Sequence, residues 1–282
     1  LAQCATCHTP RNALMAEKSD QSLSGGSLGQ WYAPNITSDK SSGIGNWSDQ
    51  QLYQYLKTGH AVGKAQAAGP MAEAIEHSLQ YLSDDDLHAI VASLRLTRPV
   101  NTASADRGMQ GKAISDENSI RGTKVASGEP VSGPMSGAIL YSGNCAACHT
   151  PSGAGSYSQN YPSLVHNTTV GSTDPTNLIA TLLVGVHRTV DQQSITMPAF
   201  GPQGYTDRLS FAEIATLATY VRQTYGAGGE AVSEQQVEQV YQGGPKPLIG
   251  WLADGRIQAL IVVVLLLLAG LIITVVRKGR KA

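Results

Sequence analysis

Phenylalanine is almost missing from this sequence: two residues, against eleven tyrosines. A large self-sufficient core is hard to build from that, whereas a bulky apolar cofactor would fill the gap. Charge is scarce as well, at 15% of residues, and nearly balanced, with a formal net charge of -1. No basic patch dominates, so nucleic acid is excluded as the natural partner. No nucleophile–base pair, P-loop or dinucleotide fingerprint occurs. The glycine-rich stretch Gly226-Ala227-Gly228-Gly229 lacks the flanking strand and helix such a fingerprint needs. No run of alternating residues marks a strand, which predicts helices. Apolar residues still make up 41% of the chain, which excludes wholesale disorder. The length suggests two domains.

There are only four cysteines, and they decide the class. They stand as Cys4-Ala5-Thr6-Cys7-His8 and Cys145-Ala146-Ala147-Cys148-His149. Both fit C-x-x-C-H, the attachment signature of c-type haem. Two thiols add to the two vinyl groups on one edge of the porphyrin, and the adjacent histidine reaches the iron. A thioredoxin-like pair needs no histidine after it, and a zinc site would leave one spare. The motifs therefore predict covalent haem c at Cys4, Cys7, Cys145 and Cys148, with His8 and His149 as proximal ligands.

The motifs also mark an internal repeat. Each opens a segment that continues through a Gly/Ser/Pro-rich loop, a later methionine and an amphipathic helix. The expected fold is all-α, with two cytochrome c-like haem domains at 1–98 and 135–226 joined by a polar linker at 99–134. Such a linker is long for a loop inside one domain and is expected to lie along both units or across a partner. Caps place the helices: Ser48-Asp49-Gln50-Gln51 before Leu52 and Leu56, with Gly59 as stop; Ser83 before Leu87 and Val91; Ser210-Phe211-Ala212-Glu213 before Ile214 and Leu217. A helix from Gly137 leads into the second motif. The first motif has none, because the sequence starts three residues ahead of Cys4. Together with the lack of a visible signal peptide, this predicts a polypeptide that extends further towards its N-terminus.

Each iron needs a second axial ligand or an open position. Met197, in Thr196-Met197-Pro198, and Met71, in Gly69-Pro70-Met71-Ala72 between two helices, are the candidates. A thioether sulfur raises the potential of an electron-transfer haem. Met15, Met109 and Met135 are poorly placed in sequence. His60, His77, His88, His166 and His187 are the rivals, and a pair of histidine ligands would lower the potential. Asn35 and Trp47 are candidates for a haem propionate or edge contact, with simple packing as the alternative.

An extension at 227–255 leads to an apolar stretch at 256–276 and a basic tail at 277–282. At about 1.5 Å per residue, residues 257–276 make a helix of about 30 Å, the hydrocarbon thickness of a bilayer. Arg277, Lys278, Arg280 and Lys281 would place this end in the cytoplasm, with Trp251 at the interface. The expectation is a C-terminal transmembrane helix in a bacterial inner membrane, with the haem domains in the periplasm.

The stretches Trp31-Tyr32-Ala33-Pro34-Asn35-Ile36-Thr37, Gly43-Ile44-Gly45-Asn46-Trp47-Ser48 and Glu76-His77-Ser78-Leu79-Gln80-Tyr81-Leu82-Ser83-Asp84 extend a resemblance well beyond the motifs. So do Asp174-Pro175-Thr176-Asn177-Leu178 and Thr196-Met197-Pro198-Ala199-Phe200. They resemble the multihaem cytochrome c subunits of membrane-bound bacterial dehydrogenases, including those of acetic acid bacteria. The resemblance implies a relay that carries electrons from a large catalytic subunit, oxidising an alcohol, aldehyde or sugar, to ubiquinone in the membrane. A small subunit is a further possible partner. It implies three haem domains in the full protein, of which these would be the second and third. The apolar C-terminal stretch favours a molybdenum aldehyde dehydrogenase partner over a PQQ alcohol dehydrogenase. The competing readings are a dihaem peroxidase, which needs an open iron position, and a haem subunit of a terminal oxidase or nitric oxide reductase.

Overall fold

The computed structural model describes residues 3–102, 111–114, 135–205, 208–226, 228–251 and 255–279. The first unit begins with α1 (Ala5–His8), a single turn over the first motif. Two short strands follow, β1 (Gly26–Leu28) and β2 (Trp31–Ala33), antiparallel with Gly26 opposite Ala33. Next come α2 (Asp49–Thr58), the strands β3 (His60–Ala61) and β4 (Ala65–Gln66), α3 (Gly69–His77) and α4 (Asp84–Arg95). The caps explain the helix ends. The Ser48 hydroxyl accepts from the Gln51 N–H while the Gln51 side chain accepts from the Ser48 N–H. Gly59, at φ +74°, stops α2 in the left-handed region. Ser83 caps α4, whose first turn holds Asp84, Asp85 and Asp86, where the helix dipole favours negative charge. Leu52, Leu56, Ile75, Leu79, Leu87 and Val91 close the core between these helices.

The second unit contains α5 (Gly137–Asn144), α6 (Ala146–His149) over the second motif, α7 (Thr168–Gly171) and α8 (Thr176–Val184). The hairpin β5 (Val186–Val190) and β6 (Gln193–Met197) comes next, then α9 (Phe211–Thr224) and α10 (Glu234–Tyr241). Helix α5 crosses α9 closely because Gly137 lies against Tyr220, where a Cβ would collide. Leu140, Ile179, Ile214, Leu217 and Val237 form the second core. Helix α10 belongs to that core through Val237 and Val240, although it lies beyond residue 226.

The expectation of an all-helical chain is corrected. Three two-stranded antiparallel sheets sit among the helices. Their strands are two to five residues long, too short for an alternating pattern to emerge. The β5–β6 pair is the largest, with a two-residue turn at Asp191 (φ +53°) and Gln192 (φ +63°). Positive φ at both positions matches the twist of a tight hairpin. Met71 also departs from expectation: it lies in the first turn of α3 rather than between helices.

The expected membrane anchor is corrected as well. Helices α11 (Leu248–Trp251) and α12 (Gly255–Gly279) close the chain, yet among the described residues no helix is long and apolar enough to cross a membrane. The placement in an inner membrane, with periplasmic haem domains and a cytoplasmic C-terminus, rested on that span and falls with it. The side chains of Trp251, Arg277 and Lys278, and residues Arg280 and Lys281, lie outside the described residues, as does Met109. Of the linker, Val100 and Thr102 are tied to the first unit through Thr37 and Ser42, and the Ile114 N–H donates to Ser152 of the second.

The two units are joined by directional contacts. The side-chain amide of Asn177, in α8, accepts from the Tyr32 N–H at 2.9 Å and donates to the Tyr32 carbonyl at 2.8 Å. Along the other seam, the β5–β6 hairpin lies on α3. The Thr189 N–H donates to Glu76, and Gln80 bonds both the Thr189 carbonyl and the Asp191 N–H. These contacts fix how the two halves of the site face each other.

Candidate functional site

In each motif one helical turn carries the second cysteine and the histidine. The His8 N–H donates to the Cys4 carbonyl and the His149 N–H to the Cys145 carbonyl, both at 2.9 Å. A spacing of three residues puts both thiols of a motif on one side of the turn. All four cysteines are free thiols. Burial pushes the Cys4 thiol up and the Cys145 thiol up to about 12, the latter helped by Cys148. At Cys4 and Cys145 burial thus works against the thiolate.

The histidines are held alike. His8 pairs through Nδ1 with the Pro34 carbonyl at 2.7 Å, and His149 through Nδ1 with the Pro162 carbonyl at 2.8 Å. A carbonyl partner requires the proton on Nδ1, so Nε2 is left with its lone pair. Burial lowers both imidazoles below their usual value, against the opposing pull of the carbonyls, and keeps them neutral. A neutral imidazole with a free Nε2 and a carbonyl behind it is the donor an iron ligand must be.

A cavity of about 640 Å³ runs between the units. Cys4, Cys7, His8 and Met71 line it from the first unit, and Cys145, Cys148, His149 and Met197 from the second. The sequence reading thus named eight residues that the fold brings to one cavity from positions scattered over the chain. Met197 ends β6, paired with Val186, so the hairpin register sets its position. Met71 follows Gly69, whose φ of +52° lets the chain pass against the Trp31 ring. None of His60, His77, His88, His166 and His187 is part of the wall.

Asn35 and Trp47 also reach the wall. Asn35 is buried, and its amide is committed: Nδ2 donates to Ser42 and to the Val100 carbonyl, and Oδ1 accepts from the N–H and hydroxyl of Thr37. Trp47 meets Tyr55 edge-on at 5.7 Å, with Lys64 Nζ 5.8 Å from the Trp47 ring. Tyr55, Gln66 and Asn177 are among the wall residues that were not foreseen. Only tertiary pairing reveals them, since each is an ordinary polar residue in its local sequence.

This wall suits a haem: paired thiols one turn apart, a neutral imidazole beside each pair, a methionine for each, and aromatic and aliphatic side chains between. Residues 134–225 match the cytochrome c family, and so the second unit is a cytochrome c domain, which binds haem c. The chain as a whole is homologous to the cytochrome c subunits of bacterial dehydrogenases. It is 44% identical over 272 residues to the fructose dehydrogenase cytochrome subunit of Gluconobacter japonicus, covering 93% of this chain and 54% of that protein. It is 32% identical over 258 residues to the cytochrome c subunit of the quinone alcohol dehydrogenase of Gluconacetobacter polyoxogenes, covering 88% and 52%. A third relative is the gluconate 2-dehydrogenase cytochrome c subunit of Pantoea cypripedii, 32% identical over 242 residues, covering 82% and 51%. The chain spans about half the length of the curated relatives it matches. The family match covers one domain, not the two that were expected. The first unit, with its paired short strands β1–β2 and β3–β4, lies outside it.

Proposed function

We propose that this chain carries haem c at both motifs and relays electrons from a catalytic dehydrogenase subunit to a quinone. The observation that carries this reading is the single cavity lined by both motifs and both methionines. When bound, haem c supplies an iron centre that takes up and gives back one electron at a time. The chain's own residues hold and shield it. Cys4 and Cys7 would anchor one group, Cys145 and Cys148 the other. His8 with Met71, and His149 with Met197, would hold the irons. The Pro34 and Pro162 carbonyls hold the imidazoles in the ligating tautomer. Trp47 is the edge contact we assign to the first group, while the Asn35 amide is taken up by its own loop.

The partner follows from the relatives. Their names specify fructose, alcohol and gluconate dehydrogenases, so the catalytic subunit we propose oxidises a sugar, sugar acid or alcohol. The preference for a molybdenum aldehyde partner rested on the expected span and loses that support.

The test is a haem count with spectra of Met71→Ala and Met197→Ala. Two haems per chain, both low-spin and unreactive to cyanide in the wild type, are expected. Each substitution should turn one haem high-spin and cyanide-binding. A wild-type chain with one open, peroxide-reactive haem would instead be a peroxidase-like protein and would sink the relay.

A further inference from the structure

Arg188 is the largest fully buried side chain among the described residues, at 0% exposure. It belongs to β5 of the second unit, yet its guanidinium lies inside the first. One Nη donates to the Ala67 carbonyl at 2.7 Å and the other to the Gln66 side-chain oxygen at 2.8 Å. The chain makes room for it at Gly59, where a Cβ would stand 2.6 Å from its Nε. That Nε has no partner. Among the described residues no carboxylate stands at ion-pair distance. Glu76 acts on the charge only from further away, and its Oε2 is engaged by the Thr189 N–H.

A buried guanidinium without a contacting anion is costly, and burial does pull its pKa down from the usual arginine value. Its surroundings indicate what it serves. Gln66, which it holds, and Tyr55, which feels its charge, are both in the cavity wall on the side of the first motif. Val186 and Ile195, its neighbours in the hairpin, line the cavity as well, Val186 opposite Met197. The Gln66 amide is oriented by Arg188 and donates onward to His60 Nδ1 at 2.6 Å. The second unit therefore places a fixed positive charge behind the wall of the first unit's half of the cavity.

We propose that Arg188 is a positioning charge that raises the reduction potential of the haem held by His8 and Met71, so that docking of the second unit sets the driving force between the two centres. The physics is Coulombic. Reduction adds an electron to the iron, and a nearby buried cation stabilises the more negative state. Screening by salt is weak there because water is excluded. The inference rests on the two-haem reading above.

The test is a spectroelectrochemical titration of the complete haem-loaded chain, with haem counted per chain. In Arg188→Gln one midpoint should fall enough to lower the reduced-to-oxidised ratio at the wild-type midpoint about tenfold or more, which is about 59 mV for one electron. The other midpoint should move far less, and Arg188→Lys should restore most of the loss. Two haems with both midpoints unmoved overturn the inference. Equal shifts of both midpoints, with lysine no better than glutamine, overturn it too, because a structural role would do that. A wild-type chain with one haem overturns the two-haem reading itself, which the count reveals before any variant is made. Should Arg188→Gln fail to fold, Glu76→Gln removes the opposing charge and should raise the same midpoint. A midpoint that stays or falls there also overturns the inference.

Discussion

At Gly69 the backbone and a tryptophan ring together leave no space for a Cβ. Gly69→Ala puts an L side chain at φ +52° and pushes it into Trp31. The expected cost is about 1–3 kcal/mol, read from urea unfolding, with Met71 displaced from the cavity. Asp39 shows another residue-scale effect. Hydrogen bonds from Ser42 and Ser41 lower its carboxyl from 3.8 to about 2. A carboxylate depressed in the folded state adds stability above its unfolded value and loses it as pH falls. Stability should therefore decline between pH 4 and pH 2, and Asp39→Asn should flatten that slope in acid titrations followed by circular dichroism. Neither effect was legible in the sequence, whereas the haem-attachment motifs were. The cysteines and their histidines stood out through the C-x-x-C-H spacing, and Met71 and Met197 as candidates beside proline. Arg188 and Asn177 did not, because each acts on chain more than a hundred residues away.

Among the elements, the helices with strong caps could be read directly. Ser48, Ser83 and Ser210 each start a helix as their patterns foretold. The same rule would have found α10, where Ser233 and Gln236 form a capping box. The hairpin β5–β6 was illegible for a different reason. Its turn uses Asp191 and Gln192 where asparagine–glycine is the recognisable signal. Gln192 is strained in the left-handed region, so Gln192→Gly should stabilise the chain by about 1 kcal/mol, measured by thermal unfolding. The Asp191 N–H bond to Gln80 involves the neighbouring residue and should survive. Leaving that hairpin intact matters because it carries Met197 at one end and Arg188 in the middle.

For the whole molecule, the seam between units is what the sequence could not convey. The repeat suggested two beads on a linker. The structure shows a shared cavity and hydrogen bonds across both ends of the joint. Unfolding should accordingly be one cooperative transition. The double variant Asn177→Ala with Gln80→Ala should split it into two steps in calorimetry, and a single unchanged transition would mean that apolar contacts alone couple the units. Each C-x-x-C-H motif lies within its own unit and would stay folded in the split form.

The pairing of Asn177 with the main chain of Tyr32 has a consequence for how such a protein can drift. An amide that reads only a backbone N–H and carbonyl is blind to the side chain it grips. As far as this contact goes, position 32 is free to vary, whereas position 177 has a single good solution. Mutational tolerance across the joint is therefore lopsided, and saturation libraries at the two sites should return a broad spectrum at one and a near-monopoly of asparagine at the other.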